Sequence, residues 1–155
     1  KKMRYKVNDN EKTVTFVCPD SKKVTGITIP KAVSYKDSIL KVTDINKNAC
    51  KGMKKLKTVI IGANVDSIGE KAFYNCTKLK TVVIGKNVEE IGKLAFYGNK
   101  SIKKITFKNI KNLKSVGKAA FYLRSKNTDA NLKTKQTSKK KMIKYLDNSG
   151  VSVSC

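Results

Sequence analysis

The side chain this sequence offers most freely for chemistry is the lysine ammonium. All but Arg4 and Arg124 of its 35 basic residues are Lys, against 11 Asp plus Glu, giving a formal charge of +24 over 155 residues. Lys57, Lys80 and Lys103 recur at a spacing of 23. If chain segments stack at that spacing, neighbouring strands lie about 4.8 Å apart and the three ammonium groups form a linear positive track. Two such charges repel by about 1 kcal/mol in water before screening, and long side chains splay to reduce it. The track suits a polyanion. Thr58, Ile60, Thr81, Val83, Lys104 and Thr106 fall beside it on the same extended segments. These nine residues are the candidate polyanion- or partner-binding face. The alternative meaning is an ordinary exposed β surface whose lysines only solubilise it.

Other chemistries lack their residues. There is no His and no Trp, so the commonest general base and the commonest zinc ligand are absent together. No nucleophile–base pair can be assembled, and Glu89-Glu90 is the only adjacent acid pair. The Gly62 and Gly85 turns lack the spacing of a phosphate-binding loop. No enzyme, cofactor or metal site is expected. Two arginines cannot supply the forks that read guanine edges, and no aromatic is expected on the lysine face, so specific nucleic-acid recognition is not expected. No apolar run approaches the roughly 18 residues of a membrane span. Cys18, Cys50, Cys76 and Cys155 show no CxxC spacing. Cys50 and Cys76 read as small buried hydrophobes, with a bond between them not favoured. Cys18 and Cys155 sit in opposite caps, too far apart for a bridge.

The elements that would position the lysines follow from a repeat. Leu56-Lys-Thr-Val-Ile-Ile-Gly and Leu79-Lys-Thr-Val-Val-Ile-Gly align at 23 residues, and the match runs on through Val65/Val88, Ile68/Ile91 and Ala72-Phe73/Ala95-Phe96. A third copy starts at Ile102. It takes two extra residues around Asn109–Leu113 and resumes at Val116, Gly117, Ala120 and Phe121. A degenerate earlier copy uses Ile27-Thr28-Ile29-Pro30 as its strand, with Ile45, Ala49 and Cys50 in later slots. Its insertion, Ser34 to Val42, reads as a hairpin with Lys36-Asp37-Ser38 at the tip. One unit cannot bury its own apolar face, so copies must stack. Each unit reads as a strand, a glycine turn, a second short extended piece, and a single helical turn at Glu70–Cys76. Phe73, Phe96 and Phe121 are expected to form a buried spine. Tyr74, Tyr97 and Tyr122 are expected half-buried at the loop edge, with a glycan-stacking role as the alternative.

The pattern Leu-x-x-Val-x-Ile-Gly-x-x-Val-x-x-Ile-Gly-x-x-Ala-Phe-x-x-Cys resembles the BspA-type leucine-rich repeat of bacterial surface proteins. Leu56–Cys76 and Leu79–Asn99 match it throughout, with Asn99 where the pattern has Cys; Cys50 stands where it has Phe. The resemblance implies a β-rich α/β solenoid, a right-handed stack of about four 23-residue units with no catalytic residues. It also implies an exported, surface-associated protein that binds or adheres.

A solenoid must cover both open ends. Arg4–Val7 and Thr13–Val17 alternate around Asn8–Glu11 as a β-hairpin cap. Asn131–Lys135 reads as a strand and 138–147 as a helix with one apolar face, a C-terminal cap rather than a membrane-inserted segment. The expected organisation is one domain: cap 1–23, repeats 24–122, cap 123–155. The expected function is a non-enzymatic cell-surface or secreted module, a monomer binding an anionic polysaccharide, a wall polymer or a protein. Its export leader would have been removed, since Lys1–Asp9 has no apolar core. A nucleic-acid-associated basic protein and a spacer without a ligand are the alternatives.

Overall fold

The computed structural model describes residues 2–123. The chain opens with β1 (Met3–Val7) and β2 (Thr13–Pro19), an antiparallel pair. Asn10 shapes the turn by accepting hydrogen bonds from the N–H groups of Lys12 and Thr13. Alternation along β2 turns Val14 and Phe16 inward, and both are buried. Tyr5 covers Phe16 edge-on at 5.7 Å. The hairpin expected at the start of the chain is therefore present.

The repeats begin with β3 (Gly26–Ile29). The inserted hairpin follows as β4 (Ala32–Tyr35) and β5 (Ser38–Ile45), turning at Lys36–Asp37. Then come β6 (Thr58–Ile61), β7 (Ser67–Ile68), β8 (Thr81–Ile84), β9 (Glu90–Ile91), β10 (Lys104–Phe107) and β11 (Ser115–Val116). They form two sheets. One is wholly parallel, in the order β10-β8-β6-β3. The other runs β1-β2-β5-β7-β9-β11, with β4 on β5. Sequence spacing becomes spatial register: Ile27, Val59, Val82 and Ile105 form one buried row, and Ile45, Ile68 and Ile91 another. Lys104 pairs Thr81, 23 residues back, whereas Ser115 pairs Glu90, 25 residues back. The two extra residues thus lie between Phe107 and Ser115, where Ile110 and Leu113 fill the core.

The segment Glu70–Cys76 corrects the sequence reading. It is not a helical turn, and no helix occurs among the described residues. Its N–H groups alternate between two destinations. Those of Ala72 and Tyr74 bond three residues back, to Gly69 and Lys71 carbonyls. Those of Lys71, Phe73 and Asn75 reach the next coil, at Lys93, Ala95 and Tyr97 carbonyls. Asn48, Cys50 and Gly52 do the same towards Glu70, Ala72 and Tyr74, as do Leu94, Phe96 and Gly98 towards Lys118, Ala120 and Tyr122. A helix would keep its donors within the segment. Left-handed φ values make the alternation possible; they recur at Asn48, Lys71, Leu94 and Ala119, and again at Gly52, Asn75 and Gly98.

This third ladder carries the aromatic spine. Phe73, Phe96 and Phe121 are buried and stacked, with centroids 5.1 and 5.2 Å apart. Each buried ring contributes about 2–3 kcal/mol. Beside it the Cys/Asn slot has a polar task that the sequence reading missed. The Cys76 thiol donates to the Cys50 carbonyl at 3.0 Å. One unit on, Asn99 Nδ2 donates to the Phe73 carbonyl at 2.9 Å while its Oδ1 accepts from the Cys76 N–H at 2.7 Å. Cys76 is thus a buried donor and not only a small hydrophobe. Leaving such groups unpaired costs about 1–3 kcal/mol. Cys18, Cys50 and Cys76 are all free thiols. The expected cap strand and helix, and Cys155, lie outside the described residues.

Glycine sets how closely the coils approach. A Cβ on Gly85 would sit 2.2 Å from the Gly62 carbonyl oxygen, and one on Gly92 or Gly117 within 2.5 Å of the preceding coil's backbone nitrogen. Gly85→Ala is therefore expected to cost about 3 kcal/mol or more, since rigid backbone must shift. Gly26→Ala, whose Cβ would meet Thr58 oxygen at an ordinary 3.9 Å, should change stability little. Urea unfolding of both variants checks the contrast; equal losses would contradict it.

Candidate functional site

The all-parallel sheet presents one face to solvent. Inward residues alternate with outward ones along each strand, so Val59 is buried while Ile60 is 40% exposed. Register aligns the outward residues in columns. Gly26, Thr58, Thr81 and Lys104 form one, and Thr28, Ile60, Val83 and Thr106 another. Lys57, Lys80 and Lys103 lie at the strand entrances. The Lys57 N–H bonds the Thr25 carbonyl, that of Lys80 the Lys57 carbonyl, and that of Lys103 the Lys80 carbonyl, at 2.7, 2.8 and 2.9 Å. The three lysines are exposed, as is Lys104, while Thr58, Thr81, Val83 and Thr106 are half-buried. All nine candidate residues thus occupy three neighbouring columns on one surface. No aromatic faces outward there among the described residues; Phe107 points into the core.

Charge is segregated between the two sheets, a feature the sequence reading overlooked. No Asp or Glu occurs in 45–65, 71–88 or 91–123, the stretches that build β6, β8, β10 and their approaches. Asp44, Asp66, Glu70, Glu89 and Glu90 all fall on the other sheet or its turns. Asp44 and Glu90 lie on β5 and β9. The N–H groups of Asp66, Glu89 and Lys114 bond successively to Thr43, Asp66 and Glu89 carbonyls. Lysines answer several of these acids: Lys114 binds Glu89, and Lys47 and Lys71 flank Glu70 at 3.2 Å each. The Glu70 carboxyl is held below its usual range by those hydrogen bonds, from Lys71 first and Lys47 next. The Asp66 carboxyl is raised, by loss of water first and then by Glu89 and Asp44. The gap in acids was visible in the sequence. That Asp44, Asp66, Glu70, Glu89 and Glu90 gather on one sheet and its turns needed the fold.

The tyrosine row stacks as the phenylalanine row does. Tyr74, Tyr97 and Tyr122 have centroids 5.3 and 5.4 Å apart, and Lys51 Nζ lies 5.8 Å over Tyr74. Tyr97 has a ring on each side, so it keeps no free face for a sugar. That removes Tyr97 from the stacking role left open by the sequence, while Tyr122, expected half-buried, is 40% exposed. Among the described residues no group of His, Cys, Asp or Glu is placed to hold a metal ion, and no helix is long and apolar enough to cross a membrane.

Comparison with known proteins fits this geometry. The sequence profile of the BspA type Leucine rich repeat region matches residues 43–148 in six copies. The chain belongs to the BspA-type leucine-rich repeat family. The match runs into residues 123–148, which the sequence reading assigned to a cap. No curated protein matches the chain. Solved structures do. A leucine rich cell surface protein from Faecalibacterium prausnitzii is 28% identical with a TM-score of 0.68, covering 82% of this chain and 34% of that one. A leucine-rich repeat protein from Bacteroides ovatus is 28% identical with a TM-score of 0.70, covering 85% and 36%. One from Bacteroides capillosus shares the fold at 23% identity and a TM-score of 0.72, covering 85% and 94%. The chain spans about a third of the length of the first two.

The raised Asp66 carboxyl gives a pH prediction. Its folded value lies above its unfolded one, so ionisation opposes folding at neutral pH and the penalty vanishes once both states are protonated. Asp66→Asn should raise the urea midpoint at pH 7 and lose that advantage as pH falls through the raised folded value towards the unfolded carboxylate value, about 3.9. A variant less stable than the parent at pH 7 would contradict this.

Proposed function

We propose that this chain is a non-catalytic binding module displayed at the cell surface. Its all-parallel sheet face is the part that meets an anionic polysaccharide or wall polymer. One observation carries the reading: a column of Lys57, Lys80 and Lys103 stands at the entrances of β6, β8 and β10, and these strands and their approaches hold no acid. Stacking enforces the column, because the three backbones are hydrogen-bonded in series. Lysine point charges attract a polyanion without demanding a particular sequence or fork geometry. Ile60, Val83 and the threonines add a shallow apolar and hydroxyl stripe beside the charge. Family membership and the surface-protein relative support the setting. The lack of an outward aromatic on this face among the described residues and the scarcity of Arg favour a glycan or wall polymer over nucleic acid.

Changing Lys57, Lys80 and Lys103 together to Gln tests the assignment. At 150 mM salt, affinity for heparin and for poly(glycerol phosphate) should fall about tenfold and the salt dependence should flatten, as fewer counterions are displaced. Thermal stability should not fall, because the change removes like-charge neighbours. Unchanged affinity would move the site elsewhere. Duplex DNA bound more tightly than both polymers would overturn the choice of ligand.

A further inference from the structure

The inserted hairpin carries a surface that the repeat itself does not need. Ile39 on it is 79% exposed and Tyr35 is 48% exposed, the two most exposed large apolar side chains among the described residues. β4 pairs only with β5 among the described residues. The Lys31 carbonyl accepts from the Val42 N–H at 3.0 Å, so alternation of an antiparallel ladder turns Val33 and Tyr35 towards β5 and leaves the N–H and C=O groups of Ala32 and Ser34 facing outward. Exposed strand edges of this kind template the addition of another strand.

We propose that the outer edge of β4 docks an extended, acidic segment of a partner protein as an added strand. Backbone groups of Ala32 and Ser34 would supply the hydrogen bonds, and flanking side chains the selectivity. Residues opposite one another on an antiparallel pair share a face, so Tyr35 lies with Ser38, and Ser34 with Ile39. Alternate side chains of an added strand therefore meet Tyr35 on one face and Ser34 and Ile39 on the other. On the Tyr35 face a groove of about 400 Å³ continues past Lys36, Ser38 and Leu40 to Val7 and Glu11. The preference for acid comes from Lys31 and Lys36 at the two ends of β4 and Lys41 opposite Ala32, all exposed, with Asp37 the only acid between residues 31 and 43. This edge is separate from the lysine columns of the other sheet and stands without them.

The test uses the whole chain and three synthetic hexapeptides. These are an alternating Glu-Val peptide, the same peptide N-methylated at alternate amides, and an alternating Lys-Val peptide. Hydrogen exchange at the Ala32 and Ser34 amides is read by NMR at about 1 mM peptide, a concentration that reaches weak interfaces. The Glu-Val peptide should slow both amides at least tenfold, and the other two should not. Ser34→Pro removes one outward N–H at an edge position that tolerates proline; it should keep the fold and abolish slowing at Ala32. No slowing by the Glu-Val peptide, equal slowing by all three, or slowing that persists in Ser34→Pro would overturn the proposal. So would slowing that rises with protein concentration without peptide, since a second copy would then occupy the edge.

Discussion

Backbone-to-backbone contact between successive coils is the constraint from which the rest follows. Gly62, Gly69, Gly85, Gly92 and Gly117 all sit where an added Cβ would lie 2.2–2.6 Å from the previous coil. At those points nothing but hydrogen separates one turn of chain from the next. Three hydrogen-bonded ladders then hold the coils at sheet spacing: the parallel sheet, the short-strand sheet and the alternating ladder through Phe73 and its counterparts. Once spacing and register are fixed, every repeated side chain must stand over its own copy.

That alignment explains features that look unrelated. Inward it converts single phenylalanines into a stacked spine and lets Cys76 and Asn99 perform the same hydrogen-bonding task one unit apart. Outward it converts three separated lysines into a column. It also collects acids from distant parts of the sequence onto the opposite sheet, where lysine partners partly neutralise them. A surface with one basic face and one mixed face gives long-range attraction a direction. The net charge alone could not do that.

Much of this was legible in the residues. The 23-residue spacing identified the stack, the buried rows and the lysine column, because side-chain type and period directly encode which face a residue occupies in a strand. The hairpins at Asn8–Glu11 and Lys36–Asp37 were legible from turn chemistry. The turn at Glu70–Cys76 was not. Adjacent apolar Ala72 and Phe73 fit one turn of helix. The left-handed φ at Lys71 and Leu94 falls on residue types that do not advertise it. Its hydrogen bonds go to residues in the next unit, which no local pattern records. The thiol bond of Cys76 was hidden for the same reason, since cysteine reads first as a small buried hydrophobe. Charge segregation required knowing which loop belongs to which sheet.

Amide hydrogen exchange across the turn segment tests the stacked-coil account most directly. If the segment is a true inter-coil ladder, the amides of Lys71, Phe73, Asn75, Leu94 and Phe96 should exchange as slowly as those of Val59 and Val82 in the parallel sheet. The amides should also open together with the sheet in denaturant. Exchange at the rates of an exposed loop, with the sheet still protected, would mean that the coils are not joined along their third side, and the aligned columns would lose their physical basis.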